Sequence, residues 1–117
     1  MEQKNLIEGT CPECRGPLTE VQDGGITEFR CLVGHRYSPE ALLQSHYEVE
    51  ERALWAAIVA LEEVPTLVKA VAPHVSVQLR ETLEHVDGEK REQARQVRDV
   101  VENLKAYFRS TEATRKP

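Results

Sequence analysis

The sequence predicts an α+β protein, a small metal-stapled β ribbon followed by helices, and three observations carry that prediction. Cys11, Cys14, Cys31 and His35 fall in the order C-x2-C-x16-C-x3-H, the spacing of a structural zinc site. Between the two pairs the chain carries short alternating stretches and turns at Asp23-Gly24-Gly25, as a β-hairpin does. From Ser38 onward the apolar residues follow the three-and-four rhythm of helices.

Composition frames these elements. The 117 residues suffice for one ordinary domain, or for a small module joined to a helical one, and are too few for a large enzyme. With 30% charged residues, 5% aromatic residues and a formal net charge of -5, the chain reads as soluble and helix-rich, with few large side chains for a core. Its longest apolar run, Ala53 to Leu61, has nine residues, far below the roughly 20 needed to cross a bilayer, so no membrane insertion is expected. The N-terminal residues lack the basic and apolar regions of a secretory signal. A cytoplasmic location is therefore expected, where C-x2-C pairs bind metal more readily than they form disulfides.

The first predicted domain, residues 1–37, holds all three cysteines and five of the six glycines. The hairpin carries one knuckle at each end. A piece of this size cannot bury enough apolar surface to fold alone, since chains below about 40 residues usually need a metal or disulfides. A bound ion contributes roughly 10–16 kcal/mol in such peptides at neutral pH, which makes one structural Zn2+ part of the fold. The tight Cys11-Pro12-Glu13-Cys14 turn points two thiolates at one locus, with backbone N–H groups free to donate to sulfur. Gly34 lets the backbone bend until His35 meets the metal of Cys31. His46, His74 and His85 have no cysteine neighbours and are expected at the surface or in packing. Catalytic zinc keeps an open position beside three protein ligands, whereas four candidates here fill a tetrahedron, so no enzyme is expected. Deaminase chemistry, which places a histidine and glutamate before a P-C-x-x-C pair, is not expected, because no histidine lies upstream of Cys11.

The second predicted domain, residues 38–117, is an α-helical hairpin or three-helix bundle packed on the ribbon, with the tail 111–117 frayed. Ser38-Pro39-Glu40 is a helix start, combining a capping hydroxyl, a proline suited to the first turn and an acid that complements the dipole. That helix is expected to run to about Val64, where Pro65 ends it or permits a turn. Ala53 to Leu61 is apolar around its whole circumference and therefore calls for cover on several sides, with Trp55 as an anchor. Pro73 disfavours continuous helix, and Ser76 or a neighbour is placed to restart it. Leu79, Leu83, Val86, Val97, Val100, Leu104 and Tyr107 form the next stripe, widened by Val101 and Phe108. A turn is expected at Asp87-Gly88.

A nucleic-acid binder is the obvious rival for a zinc ribbon. Through residue 37, however, four Lys/Arg face six acids, a balance of -2, and phosphate binding wants the opposite sign. Arg91, Arg95 and Arg98 line one helix face among Glu92, Asp99 and Glu102, which reads as a solvated face of ion pairs. A metal or redox sensor is the other alternative; it requires a thiol of lowered pKa and releasable zinc.

Three segments resemble a known family: Cys11-Pro12-x-Cys14; Phe29-Arg30-Cys31-x-Val33-Gly34-His35-x-Tyr37-Ser38-Pro39-Glu40-x-Leu42-Leu43; and Ala53-Leu54-Trp55-Ala56 with Leu61-Glu62-Glu63. Over residues 10–63 the chain resembles the zinc ribbon and helical extension found C-terminal to some chemotaxis-type protein-glutamate methylesterases, which also occurs as a small stand-alone protein. The resemblance implies a non-enzymatic interaction or regulatory module in bacterial sensory signalling, with a protein partner or self-association through the helices. Esterase activity is not implied, because the chain has no nucleophile-serine motif and no receiver domain.

Overall fold

A computed structural model describes the backbone of residues 2–115 and the side chains of residues 2–106. The fold is α+β: strands β1 (Gln3–Thr10), β2 (Pro17–Asp23), β3 (Ile26–Cys31) and β4 (Arg36–Tyr37) precede helices α1 (Pro39–Val71), α2 (Val77–Leu83) and α3 (Val86–Arg115). The chain forms two compact units, Met1–Glu50 and Glu51–Pro117, and their boundary falls within α1. No helix among the described residues is long and apolar enough to cross a membrane.

In the first unit the strands form one antiparallel sheet in the order β1-β2-β3-β4. The expected hairpin is β2–β3, paired from Leu18↔Cys31 to Asp23↔Ile26. Gly24 and Gly25 turn it with φ of 59° and 83°, the positive angles of a tight primed turn. A single hairpin was too few strands. β1 adds an edge along β2, with an irregularity between Leu6 and Thr10, and β4 adds two residues beside β3. The register puts Leu18, Phe29 and Cys31 on one face of the sheet, and that face holds the core of Cys11, Leu18, Cys31 and Tyr37. Ala41 and Leu42, from the first turns of α1, pack against it with Ile7 and Phe29. On the opposite face Val21 is 2% exposed, and Glu28 bridges Arg30 and Arg36 at 2.8 and 3.3 Å.

Helix α1 begins as its sequence dictates: Ala41 N–H donates to Ser38 Oγ at 3.1 Å, and Leu42 N–H to the Ser38 carbonyl at 2.9 Å. It does not end at Pro65. The proline ring removes the hydrogen bond to the Leu61 carbonyl, yet Leu67-Val68-Lys69-Ala70 beyond it continues the helix to Val71, and Pro65 is itself buried. The 3-10 turn Ala72–His74 then takes up Pro73, and Ser76 caps α2 by accepting from Leu79 N–H. The break before α3 falls at Glu84–His85 rather than at Asp87-Gly88. Asp87 lies in the first turn of α3, where an acid is favourable, and pairs with Arg91 at 2.8 Å.

In the second unit the core is Ile58 and Pro65 of α1 with Ala94, Val101 and Leu104 of α3. Glu62 pairs with Arg98, Glu51 pairs with Lys105, and Arg98 and Lys105 both lie over the Trp55 ring, so the two helices run antiparallel. Arg91 and Arg95 take carboxylates of their own helix, Asp87 and Glu92. Two expectations shift. The seam on α3 is Ala94-Val97-Val101-Leu104, with Val100 47% exposed, because a small alanine can also sit at the point of closest approach. The Ala53–Leu61 stretch is buried along one face only, with Ile58 at 1% exposure beside Val59 at 62%. The side chains of Tyr107 and Phe108 lie outside the described residues, as do residues 116–117 of the tail.

One conformation in the first knuckle is testable. Arg15 has φ of 63°, a left-handed angle that costs an L side chain about 1–2 kcal/mol. Arg15→Gly is expected to leave the thermal midpoint unchanged or raise it slightly, glycine's added unfolded-state entropy offsetting part of the gain. Arg15→Val is expected to lower it, since β-branching suits that angle worst. Equal midpoints for the two variants in a thermal melt would show the angle to be relaxed.

Candidate metal centre

The site is built from the two ends of the β2–β3 hairpin. Cys11, Cys14 and Arg15 form the turn between β1 and β2, closed by hydrogen bonds from Cys11 N–H to the Gly16 carbonyl and from Arg15 N–H to the Cys11 carbonyl, both 2.8 Å. Cys31 ends β3, and Gly34, with φ of 117°, lets the chain reverse so that His35 comes back over it. That angle favours glycine, whereas a Cβ there would meet nothing within 4 Å, so the requirement is conformational and not steric. His35 N–H donates to Cys31 Sγ at 3.3 Å.

These turns bring Cys11, Cys14, Cys31 and His35 together, with their four ligand atoms within 4.8 Å of one another. A tetrahedral zinc ion with sulfur at about 2.3 Å and nitrogen at about 2.0–2.1 Å separates S from N by about 3.6 Å and S from S by about 3.8 Å. His35 Nδ1 lies 3.5 Å from Cys11 Sγ and 3.3 Å from Cys31 Sγ, close to such an edge. All three cysteines are free thiols. The group could hold a metal ion.

The electrostatics favour a cation at the centre. Burial pushes the Cys11 thiol up, but its contact with the Tyr37 hydroxyl and hydrogen bonds from the Cys14 and Glu13 backbone outweigh it and bring it down to about 6. Burial likewise opposes ionisation of Cys31, and N–H groups of His35 and Gly34 lower it nonetheless. Cys14 is lowered by the Gly16 N–H, yet burial and the sulfurs of Cys31 and Cys11 raise it overall. His35 is raised, first by its contact with Cys31, and then by Cys11 and the Glu13 charge. Thiolates this close repel one another, so the third ionises readily only when a positive ion shares the space.

The remaining histidines stay out of the cluster. His46 Nε2 donates to the Thr10 carbonyl at 2.8 Å, tying α1 to the end of β1. His74 and His85 are exposed in the second unit. Two residues that the spacing argument passed over do join the site. Tyr37, 7% exposed, places its hydroxyl 2.7 Å from Glu13 Oε1 and 3.3 Å from Cys11 Sγ. Glu13 Oε2 lies 3.1 Å from His35 Nε2. The available signal was position: Glu13 sits inside the C-x2-C turn, and Tyr37 follows His35 by two residues. Comparison with protein families, with curated proteins and with solved structures finds no match to this chain.

Proposed function

We propose that the chain is a non-enzymatic structural-zinc module: Cys11, Cys14, Cys31 and His35 hold one Zn2+ that staples a zinc ribbon, and the helices offer a surface to a protein partner. The observation that carries this reading is the convergence of four soft or borderline donors, from two turns 16 residues apart in sequence, within 4.8 Å. Four protein donors complete a tetrahedron and leave no position for a reacting water, which favours a structural ion over a catalytic one. The ion's contribution is to cross-link the turns and neutralise the thiolates.

The interaction reading draws support from the helical unit. Val64, Leu67 and Val71 follow three-and-four spacing on α1 and are 36%, 53% and 46% exposed, with Val59 on the same helix at 62%. Exposed apolar side chains repeated along a helix suit contact with another chain. The resemblance to the methylesterase-associated extension supports a setting in cytoplasmic chemotaxis-type signalling, with a signalling protein or a second copy as the partner. A metal- or redox-sensor reading draws on Cys14, whose side chain is exposed while those of Cys11 and Cys31 are buried.

Elemental analysis combined with light scattering tests the reading. One zinc per chain, retained through gel filtration and through mild peroxide treatment, is the expected result. Reversible release by peroxide would favour the sensor instead. A pull-down that recovers no methylesterase, receptor or signalling partner, with an inert monomer in solution, would count against the interaction role.

A further inference from the structure

We infer that Glu13 is the positioning residue of this centre: its carboxylate bridges His35 and Tyr37 across the two knuckles and thereby selects Nδ1 of His35 as the metal-binding atom. The inference rests on the zinc reading above and deepens it.

The two ring nitrogens of His35 face different chemistry. Nδ1 is directed at sulfur, 3.5 Å from Cys11 Sγ and 3.3 Å from Cys31 Sγ. Nε2 is directed at oxygen, 3.1 Å from Glu13 Oε2. An ionised carboxylate only accepts hydrogen bonds, so the contact requires a proton on Nε2. A neutral imidazole carrying that proton has its lone pair on Nδ1, where the sulfurs converge. Glu13 therefore fixes the tautomer and the ring plane together, the role that carboxylates play behind metal-bound histidines.

The carboxylate is itself held. Its other oxygen, Oε1, accepts from the Tyr37 hydroxyl at 2.7 Å. Tyr37 is 7% exposed and pairs across the sheet with Phe29, so the phenol is a firm anchor. The same oxygen lies 3.3 Å from Cys11 Sγ, so the anchor stands against a second donor of the cluster. Glu13 belongs to the first knuckle, and His35 and Tyr37 to the second. The bridge thus orients a ligand and also ties the two knuckles to each other.

The experiment uses the full chain, 15N-labelled and loaded with zinc or with 113Cd. Long-range 1H–15N spectra of wild type are expected to show Nε2 of His35 protonated, with cadmium coupling through Nδ1. Glu13→Ala is expected to weaken zinc binding about 10–100-fold in chelator competition, with one zinc per chain still bound at saturation. Glu13→Gln keeps an acceptor oxygen and should recover part of that loss, an outcome a general folding defect would not produce. Cadmium coupling through Nε2 in wild type, or Glu13→Ala with unchanged affinity and unchanged ring protonation, would overturn the inference. A wild-type chain that takes up neither metal would overturn the zinc reading instead, so the two failures are distinguishable.

Discussion

Replacing Cys31 with serine is expected to abolish zinc retention and to unfold the first unit. Cys31 is 8% exposed and belongs to the same core as Cys11, Leu18 and Tyr37, so its sulfur is at once a proposed ligand and a core atom. A serine hydroxyl is shorter and harder, and does not ionise near neutral pH, so only three donors remain. Structural zinc contributes roughly 10–16 kcal/mol to the folding of such peptides, and the four buried hydrophobic residues of this core cannot replace a term of that size. Zinc content should fall from one per chain to none after gel filtration, and the dispersed amide signals of β1 to β4 should collapse. His46→Ala should keep its zinc, because His46 donates to the Thr10 carbonyl and stands outside the ligand set. Equal zinc content in wild type and Cys31→Ser would sink the four-ligand assignment.

The features legible in the sequence were those whose cause is local. The spacing of Cys11, Cys14, Cys31 and His35 encodes two turns, and each turn must close for its own ligands to meet. Gly24-Gly25 encodes a hairpin and Ser38-Pro39 a helix start for the same reason: the conformations are set within a few residues. What escaped was decided by tertiary neighbours. β1 carries one half-buried residue, Ile7, in eight, so it has no apolar alternation; it pairs with β2 as an edge strand through its backbone. Pro65 reads as a helix end by propensity, yet burial in the second unit carries α1 through it. Val101, not Val100, faces inward because the seam counts from Ala94, a residue whose size hides its role. Glu13 is an ordinary acid in sequence, and only the return of His35 and Tyr37 to the first knuckle gives its two oxygens partners.

Ile58→Ala is expected to be the most damaging single truncation in the helical unit, whereas Val59→Ala, one residue on, should be nearly silent in dilute solution. Ile58 is 1% exposed and, among the described residues, is one of the two largest fully buried side chains of that unit, with Val101. Removing three carbons at such a site costs about 2–4 kcal/mol, the lost transfer energy adding to that of the cavity. For a unit of this length each kcal/mol moves the midpoint by roughly 4–8 °C, so a fall of at least about 8 °C in the helical melt is expected. Val59 is 62% exposed and loses little when shortened. The contrast also bears on what covers α1. If the exposed apolar residues of α1, Val59 as well as the Val64-Leu67-Val71 stripe, meet a second copy, the cost of Val59→Ala should appear only as concentration rises, together with a drop in solution mass. If it meets a different protein, Val59→Ala should leave mass and midpoint untouched at every concentration and weaken capture of that partner alone. Zinc content should stay at one per chain in both variants, because all four proposed ligands lie in the first unit. A Val59→Ala variant as unstable as Ile58→Ala at every concentration would mean that this helix is enclosed within the chain itself, and the interaction surface would have to be sought elsewhere.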